Sequence, residues 1–127
     1  MKTLTPREAH DFLARHPDAA FVDCRDEWER MHVGYPTGSV CIPWIVLAEG
    51  EVNPRFVDQV RAEAGANPVV LICRSGNRTL DAGRALEAAG VADVYHVGTG
   101  FEGDLDAQRH RNSVNGWRHD GLPWEQS

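Results

Sequence analysis

The chain has 127 residues, of which 42% are hydrophobic and 25% are charged, an ordinary composition for a globular protein. This length predicts one domain with a single core, spanning residues 1–127. The formal net charge of −6 argues against nucleic acid or an anionic membrane surface as the main partner. No apolar run is long enough to span a bilayer and no signal-peptide core is present, so the expected location is the cytoplasm.

The first predicted helix begins at Thr5-Pro6-Arg7-Glu8. This tetrapeptide has the pattern of a capping box with proline at the first helical position. The helix is expected to continue to about Ala14, and the residues before Thr5 are expected to lead directly into it. A short apolar strand is predicted next, at Ala20–Val22.

The middle of the chain is predicted to hold two helices and one strand. Asp26 caps a short helix that continues to Met31, and glycine and proline between residues 34 and 38 break the chain before a strand near Ser39–Cys41. Asn53-Pro54 is expected to cap the next helix. The apolar residues on one face of that helix are Phe56, Val57 and Val60.

The second half of the chain alternates strand, helix and strand. The strands are predicted at Val69–Ile72 and Val94–Val97, and the helix between them at Thr79–Ala89. The apolar runs do not alternate with polar residues, which is typical of parallel strands covered on both faces by helices. Ligands of such sheets bind beyond the carboxyl ends of the strands, and Cys73 lies at one of these ends.

Cys73 is the residue whose surroundings carry the most chemical information. A polar turn with Arg74, Gly76 and Arg78 follows it and leads into a helix. Unpaired backbone N–H groups and the positive end of the helix dipole favour an anion at this position. Such surroundings favour the thiolate, which is the nucleophilic form of cysteine. A cysteine that only filled the core would not need this turn, so we interpret Cys73 as a catalytic or anion-binding residue.

The segment Cys73–Thr79 resembles the active-site loop of the rhodanese (thiosulfate sulfurtransferase) family. Other segments resemble that family in the same order, and together they extend from about Leu4 to Pro123. These segments are Phe21-Val22-Asp23-Cys24-Arg25, Glu27-Trp28-Glu29, Val33 to Ser39, Val40-Cys41-Ile42-Pro43, Leu86, Gly90, Val94 to Gly98, Trp117 and Gly121-Leu122-Pro123.

This resemblance implies a rhodanese-like three-layer α/β/α fold with a central, mainly parallel five-stranded sheet. Three features depart from the family pattern. Tyr35 replaces the common histidine, and Gly98-Thr99-Gly100 replaces the common pair of glycines. The third departure is a polar insert at residues 102–116, which we expect to be an irregular surface segment near the mouth of the pocket.

The resemblance also implies a mechanism. Cys73 would take a sulfane sulfur from a small anionic donor such as thiosulfate, become a persulfide, and pass the sulfur to a thiol or protein acceptor. The remaining loop residues would bind the substrate, with Arg78 closing the loop, although a structural brace to a carboxylate is an equal alternative for Arg78. Those loop residues are Arg74, Ser75, Gly76, Asn77, Arg78 and Thr79.

No cofactor and no metal are predicted. The six histidines, among them His96, His110 and His119, lack the spacing of metal ligands and are interpreted as surface or hydrogen-bonded loop residues. Asp23 and Arg25 are interpreted as a structural ion pair, because buried charges must be paired.

Two other functions remain open. A sulfur-relay or interaction module that acts on a partner protein would use the same loop. A cysteine-dependent phosphatase or arsenate reductase is less favoured, because only four residues separate Cys73 from Arg78, one fewer than in the phosphate-binding loops of such enzymes. The physiological donor and acceptor, the oligomeric state and the roles of Cys24 and Cys41 are left open by the sequence.

Overall fold

The computed structural model describes residues 1–46 and 50–127. In chain order its elements are β1 (Lys2–Leu4), α1 (Pro6–Arg15), β2 (Ala20–Asp23), α2 (Glu27–Val33), β3 (Tyr35–Pro36), β4 (Val40–Cys41), β5 (Ile45–Val46), β6 (Glu51–Val52), α3 (Phe56–Ala64), β7 (Val69–Ile72), α4 (Asn77–Ala88), β8 (Val94–Val97) and β9 (Trp124–Glu125).

Five strands form the central sheet in the order β1-β8-β7-β2-β4. Every neighbouring pair in this sheet is parallel, which confirms the predicted α/β fold with a parallel five-stranded sheet. Strands β2 and β7 lie in the middle, and all their residues are buried. Two small antiparallel pairs, β3 with β9 and β5 with β6, lie outside this sheet.

The first predicted helix is confirmed together with its capping box. The Thr5 side chain accepts a hydrogen bond from the Glu8 backbone N–H, and the Glu8 side chain accepts one from the Thr5 backbone N–H. Asp26 caps α2 as expected, through a hydrogen bond from the Glu29 backbone N–H. The prediction that Asn53 caps α3 is wrong by two residues, because Asn53 accepts from the Arg55 backbone N–H and Arg55 itself occupies the cap.

Strand β1 was not expected. Residues Lys2–Leu4 do not lead straight into the helix but pair with Tyr95, His96 and Val97 of β8. The strand is short, lies at the edge of the sheet and is largely exposed. A three-residue edge strand has no apolar run that would mark it in the sequence.

The two faces of the sheet carry separate clusters of buried residues. One cluster joins β2, β7 and β8 to helices α3 and α4. The other joins the opposite face of the same strands to α1 and to Phe101, Trp117 and Leu122. The sheet is therefore covered on both sides, as three layers require.

Residues 102–116 contain no helix and no strand, in agreement with the expected irregular segment. Phe101 and Trp117, at its two ends, are both buried. Within the segment, Asp106 accepts hydrogen bonds from the backbone N–H groups of Gln108 and His110. In the part of the chain that the structure describes, no helix is long and apolar enough to cross a membrane.

Candidate functional site

Cys73 follows β7 directly and lies at the amino end of α4, one of the positions that the sequence predicted for a ligand. Its side chain is buried, and Sγ accepts a hydrogen bond from the Gly76 backbone N–H at 3.2 Å. The Thr79 hydroxyl oxygen lies 3.7 Å from the same sulfur. The Gly76 N–H and the amino end of α4 therefore favour negative charge on this sulfur.

Helix α4 begins two residues earlier than predicted, with Gly76 as its N-cap. Gly76 has a φ of +99°, and a Cβ built on it would lie 2.1 Å from the Gly98 carbonyl oxygen. Only glycine fits this position, because both the backbone angle and the space exclude a side chain. The Gly98-Thr99-Gly100 turn thus packs directly against the Cys73 loop, a contact that the sequence did not reveal.

Gly76→Ala is expected to distort the loop. The clash with the backbone of Gly98 and the positive φ should together destabilise the fold by about 2–4 kcal/mol. Alkylation of Cys73 by iodoacetamide should slow by roughly tenfold or more, because the Gly76 N–H no longer reaches the sulfur. Gly90→Ala is the matched control, since Gly90 has a φ of +87° but no atom within 4 Å of a built Cβ. Equal alkylation rates in the two variants would contradict this account of the loop.

His96 lies behind the loop, and its interpretation as a surface or loop residue is wrong. It is 3% exposed and belongs to β8. Its Nδ1 lies 2.8 Å from the Thr79 hydroxyl oxygen, and its Nε2 lies 2.9 Å from that of Thr3. The signal was present in the sequence, because a histidine inside a predicted buried strand requires polar partners.

Burial lowers the pKa of His96 below its ordinary value, so the ring is neutral at pH 7 and carries one N–H. When Thr3 donates to Nε2, the Nδ1–H donates to Thr79. The Thr79 hydroxyl proton is then available to the Gly76 carbonyl oxygen, 3.1 Å away, or to an anionic sulfur on Cys73. In this tautomer, His96 would position the Thr79 hydroxyl relative to the loop.

His96→Leu is expected to slow the alkylation of Cys73 at pH 7 by roughly three- to tenfold. This factor corresponds to losing part of the free energy of a hydrogen bond to a charged group. His96→Asn should restore most of the rate, because its amide reaches the position of Nδ1 and can still donate to Thr79. A merely structural role would predict the same rate for both variants after correction for the folded fraction.

The two loop arginines have different surroundings. Arg78 donates two hydrogen bonds to Glu29 of α2, at 2.6 Å and 2.8 Å. Burial opposes ionisation of Glu29, but the bonds from Arg78 outweigh it and hold the pKa of Glu29 below its usual value. This is the geometry of the brace considered for Arg78, whereas Arg74 is exposed.

An open cleft of about 590 Å³ lies over this part of the loop, and its walls include Glu29, Arg74, Arg78 and Glu102. Two basic and two acidic side chains therefore share the cleft, which is less electropositive than the loop sequence alone suggested. Within residues 1–46 and 50–127, no three ligating side chains are grouped so as to hold a metal ion.

The insert begins at this cleft. The Phe101 backbone N–H donates to the Cys73 carbonyl at 2.8 Å, and the Glu102 N–H donates to the Arg74 carbonyl at 2.9 Å. A Cβ on Gly100 would lie 2.5 Å from the Arg74 carbonyl oxygen. The first residues of the insert are thus in contact with the loop, as its predicted position near the mouth requires.

In the described part of the chain, the hydrogen bonds of the Cys73 sulfur do not involve the remaining predicted site residues. Ser75 is half-buried and Asn77 is exposed, with Asn77 as the first residue of α4. Asp23 and Arg25 are fully buried and paired, with Arg25 Nη2 2.7 Å from Asp23 Oδ2. Arg30 also reaches Asp23, at 3.0 Å.

Comparison with known proteins gives a consistent result. Residues 5–107 match the family described as Rhodanese-like domain. The crystal structure of Rv0390 from M. tuberculosis is 38% identical, with a TM-score of 0.85, and the match covers 100% of this chain and 98% of that one.

Two more distant relatives are much longer than this chain. The probable adenylyltransferase/sulfurtransferase MoeZ of Mycobacterium tuberculosis is 32% identical over 78% of this chain but only 23% of its own length. Thiosulfate sulfurtransferase from Pseudomonas aeruginosa shares the fold, with a TM-score of 0.71 at 19% identity over 99% of this chain and 20% of that chain.

Proposed function

The chain belongs to the rhodanese-like domain family, and from this premise we propose that it is a sulfurtransferase that carries sulfur as a persulfide on Cys73. The observation that supports this most directly is the position of Sγ, which accepts the Gly76 N–H at 3.2 Å at the start of α4. A sulfur atom added to Sγ would lie near the Gly76 N–H and the amino end of α4, both of which favour its negative charge.

The reaction has two halves. In the first, the Cys73 thiolate attacks the outer sulfur of thiosulfate, the sulfur–sulfur bond of the donor breaks, and sulfite leaves with the bonding electron pair. In the second, a thiolate acceptor attacks the outer sulfur of the persulfide, and the Cys73 thiolate is released. Both halves are nucleophilic displacements that this chain's own residues can support.

Arg74 is the residue best suited to attract an anionic donor. Arg78 is held by Glu29 at 2.6 Å, so its charge is largely balanced, whereas Arg74 is exposed at the cleft. We therefore assign recruitment of the donor to Arg74 and bracing of the loop to Arg78.

The balanced charge of the cleft also favours a second candidate, a sulfur relay with a protein donor or acceptor. Glu29 and Glu102 weaken the attraction for a free anion such as thiosulfate. A protein surface that carries complementary charges could pair with both the acidic and the basic side chains of the cleft. The bidentate pairing of Arg78 with Glu29 speaks against a phosphatase, because that arginine is not directed at an anion above Cys73.

Donor kinetics test the assignment of Arg74. In Arg74→Ala, the KM for thiosulfate is expected to rise roughly two- to fivefold with a smaller change in kcat, which is the scale of an exposed charge interaction. The difference should shrink in high salt.

Arg84→Ala is the matched control, because Arg84 is an exposed arginine of α4, the helix that follows the loop, and lies outside the cleft. If the KM for thiosulfate is unchanged in Arg74→Ala and turnover is faster with a protein persulfide as donor, the sulfur relay is favoured over a small-anion donor.

A further inference from the structure

Cys24 and Cys73 are neighbours across two parallel strands. Val22 pairs with Leu71 and Asp23 pairs with Ile72. The next step of this register places Cys24 beside Cys73. The Cys24 backbone N–H donates to the Ile72 carbonyl at 2.7 Å, which continues the parallel hydrogen-bond ladder to this pair.

The two side chains also lie on the same face of the sheet. Alternate residues of a strand point to opposite faces. Ala20 and Val22 belong to the cluster that also contains Val69 and Leu71, and Cys24 and Cys73 belong to that cluster as well. Both thiols are 1% exposed and free.

This arrangement satisfies the main requirement for a disulfide. Neighbouring strands lie roughly 4.7–4.9 Å apart, and disulfide-bonded cysteines have Cα atoms roughly 4.4–6.8 Å apart. Cys41 does not share this relation with Cys73, because its register partner is Asp23 and its sulfur contacts the Arg25 carbonyl at 3.4 Å.

We propose that Cys24 discharges the Cys73 persulfide inside the protein, releasing hydrosulfide and leaving a Cys24–Cys73 disulfide. This inference rests on the proposed function, because the persulfide is its starting state. It gives the chain a second outcome, sulfide release, in the absence of an external acceptor.

The step is balanced without an added oxidant. The Cys24 sulfur attacks Sγ of Cys73, and the Sγ–S bond of the persulfide breaks. The outer sulfur leaves with the bonding electrons as hydrosulfide and takes up the proton of the Cys24 thiol. The two cysteines are oxidised to a disulfide while the sulfane sulfur is reduced to sulfide, and an external dithiol then restores both thiols.

Burial of Cys24 makes this reaction slower than transfer to a good acceptor. Burial raises the pKa of the Cys24 thiol, and the neighbouring Cys73 and Asp23 add to the effect. Little thiolate is therefore present at neutral pH, and thiolate is the attacking form. The persulfide therefore passes its sulfur to an acceptor when one is available, and Cys24 discharges it when none is.

Mass spectrometry on the full chain tests the proposal. The protein is loaded with thiosulfate or, in a second arm, with inorganic polysulfide, freed of excess donor, incubated without acceptor, and quenched in acid at intervals. The wild type should pass from about 32 daltons above the reduced mass to about 2 daltons below it. Hydrosulfide should appear in equal amount, and peptide mapping should place the disulfide between Cys24 and Cys73.

Two variants decide the outcome. Cys24→Ala should keep the added sulfur and release no hydrosulfide, whereas Cys41→Ala should behave as the wild type. A wild-type persulfide as lasting as that of Cys24→Ala, or a disulfide that involves Cys41, overturns this inference and leaves the proposed function intact. Failure of both donors to add sulfur to any variant overturns the proposed function and this inference together.

Discussion

Cys73→Ser is expected to abolish persulfide formation and sulfur transfer while the protein stays folded. A serine hydroxyl occupies similar space and can still accept the Gly76 N–H, but it does not ionise near neutral pH and cannot form a persulfide. Turnover should fall by at least roughly a thousandfold, the scale on which removal of a covalent nucleophile acts. Mass spectrometry after incubation with thiosulfate should show about 32 additional daltons on the wild type and none on the variant.

Cys41→Ser provides the control for this result. Burial raises the pKa of the Cys41 thiol to about 12, with Glu27 and Asp23 adding to the shift, so Cys41 is a poor nucleophile at neutral pH. Its replacement should leave both the adduct and the turnover unchanged. A full adduct on Cys73→Ser would show that Cys24 or Cys41 is the nucleophile and would refute the assignment to Cys73.

The central strands were predictable because their signal is local. Val69–Ile72 is a continuous apolar run that ends in a polar, glycine-containing turn, and the structure places it at the centre of the sheet. Strand β1 was not predictable, since Lys2–Leu4 becomes a strand only through its pairing with β8. The β3–β9 pair joins residues far apart in sequence, and it is likewise a product of tertiary contacts.

In the candidate site, too, local features were predictable from the sequence and long-range contacts were not. The Cys73 loop follows from residue types over a few positions, because a turn before a helix gathers backbone donors whatever else surrounds it. The partner of Arg78 could not be derived in this way. Glu29 is 49 positions away from Arg78 in the sequence. The two side chains meet only because α2 packs beside the loop. The same holds for His96, whose two contacts come from β1 and α4.

The buried charges around Asp23 connect the sheet to the loop. Asp23 accepts hydrogen bonds from Arg25 and from Arg30, and Arg25 also donates to the Gly34 carbonyl at 2.8 Å. The Arg25 guanidinium lies 4.7 Å from the centre of the Phe101 ring. Phe101 in turn donates its backbone N–H to the Cys73 carbonyl. The ion-pair cluster therefore contacts Phe101, and Phe101 contacts the Cys73 loop.

Asp23→Asn is expected to destabilise the protein by about 3–5 kcal/mol, because it leaves the buried Arg25 charge without its counter-ion. Urea unfolding followed by circular dichroism measures this change. Asp81→Asn breaks an exposed pair with Arg84 at 3.8 Å and should cost less than about 0.5 kcal/mol. A loss below about 1 kcal/mol in Asp23→Asn would show that the cluster does not hold the fold together. The expected larger loss should be accompanied by faster alkylation of Cys24, because the end of β2 opens when Arg25 is left unpaired.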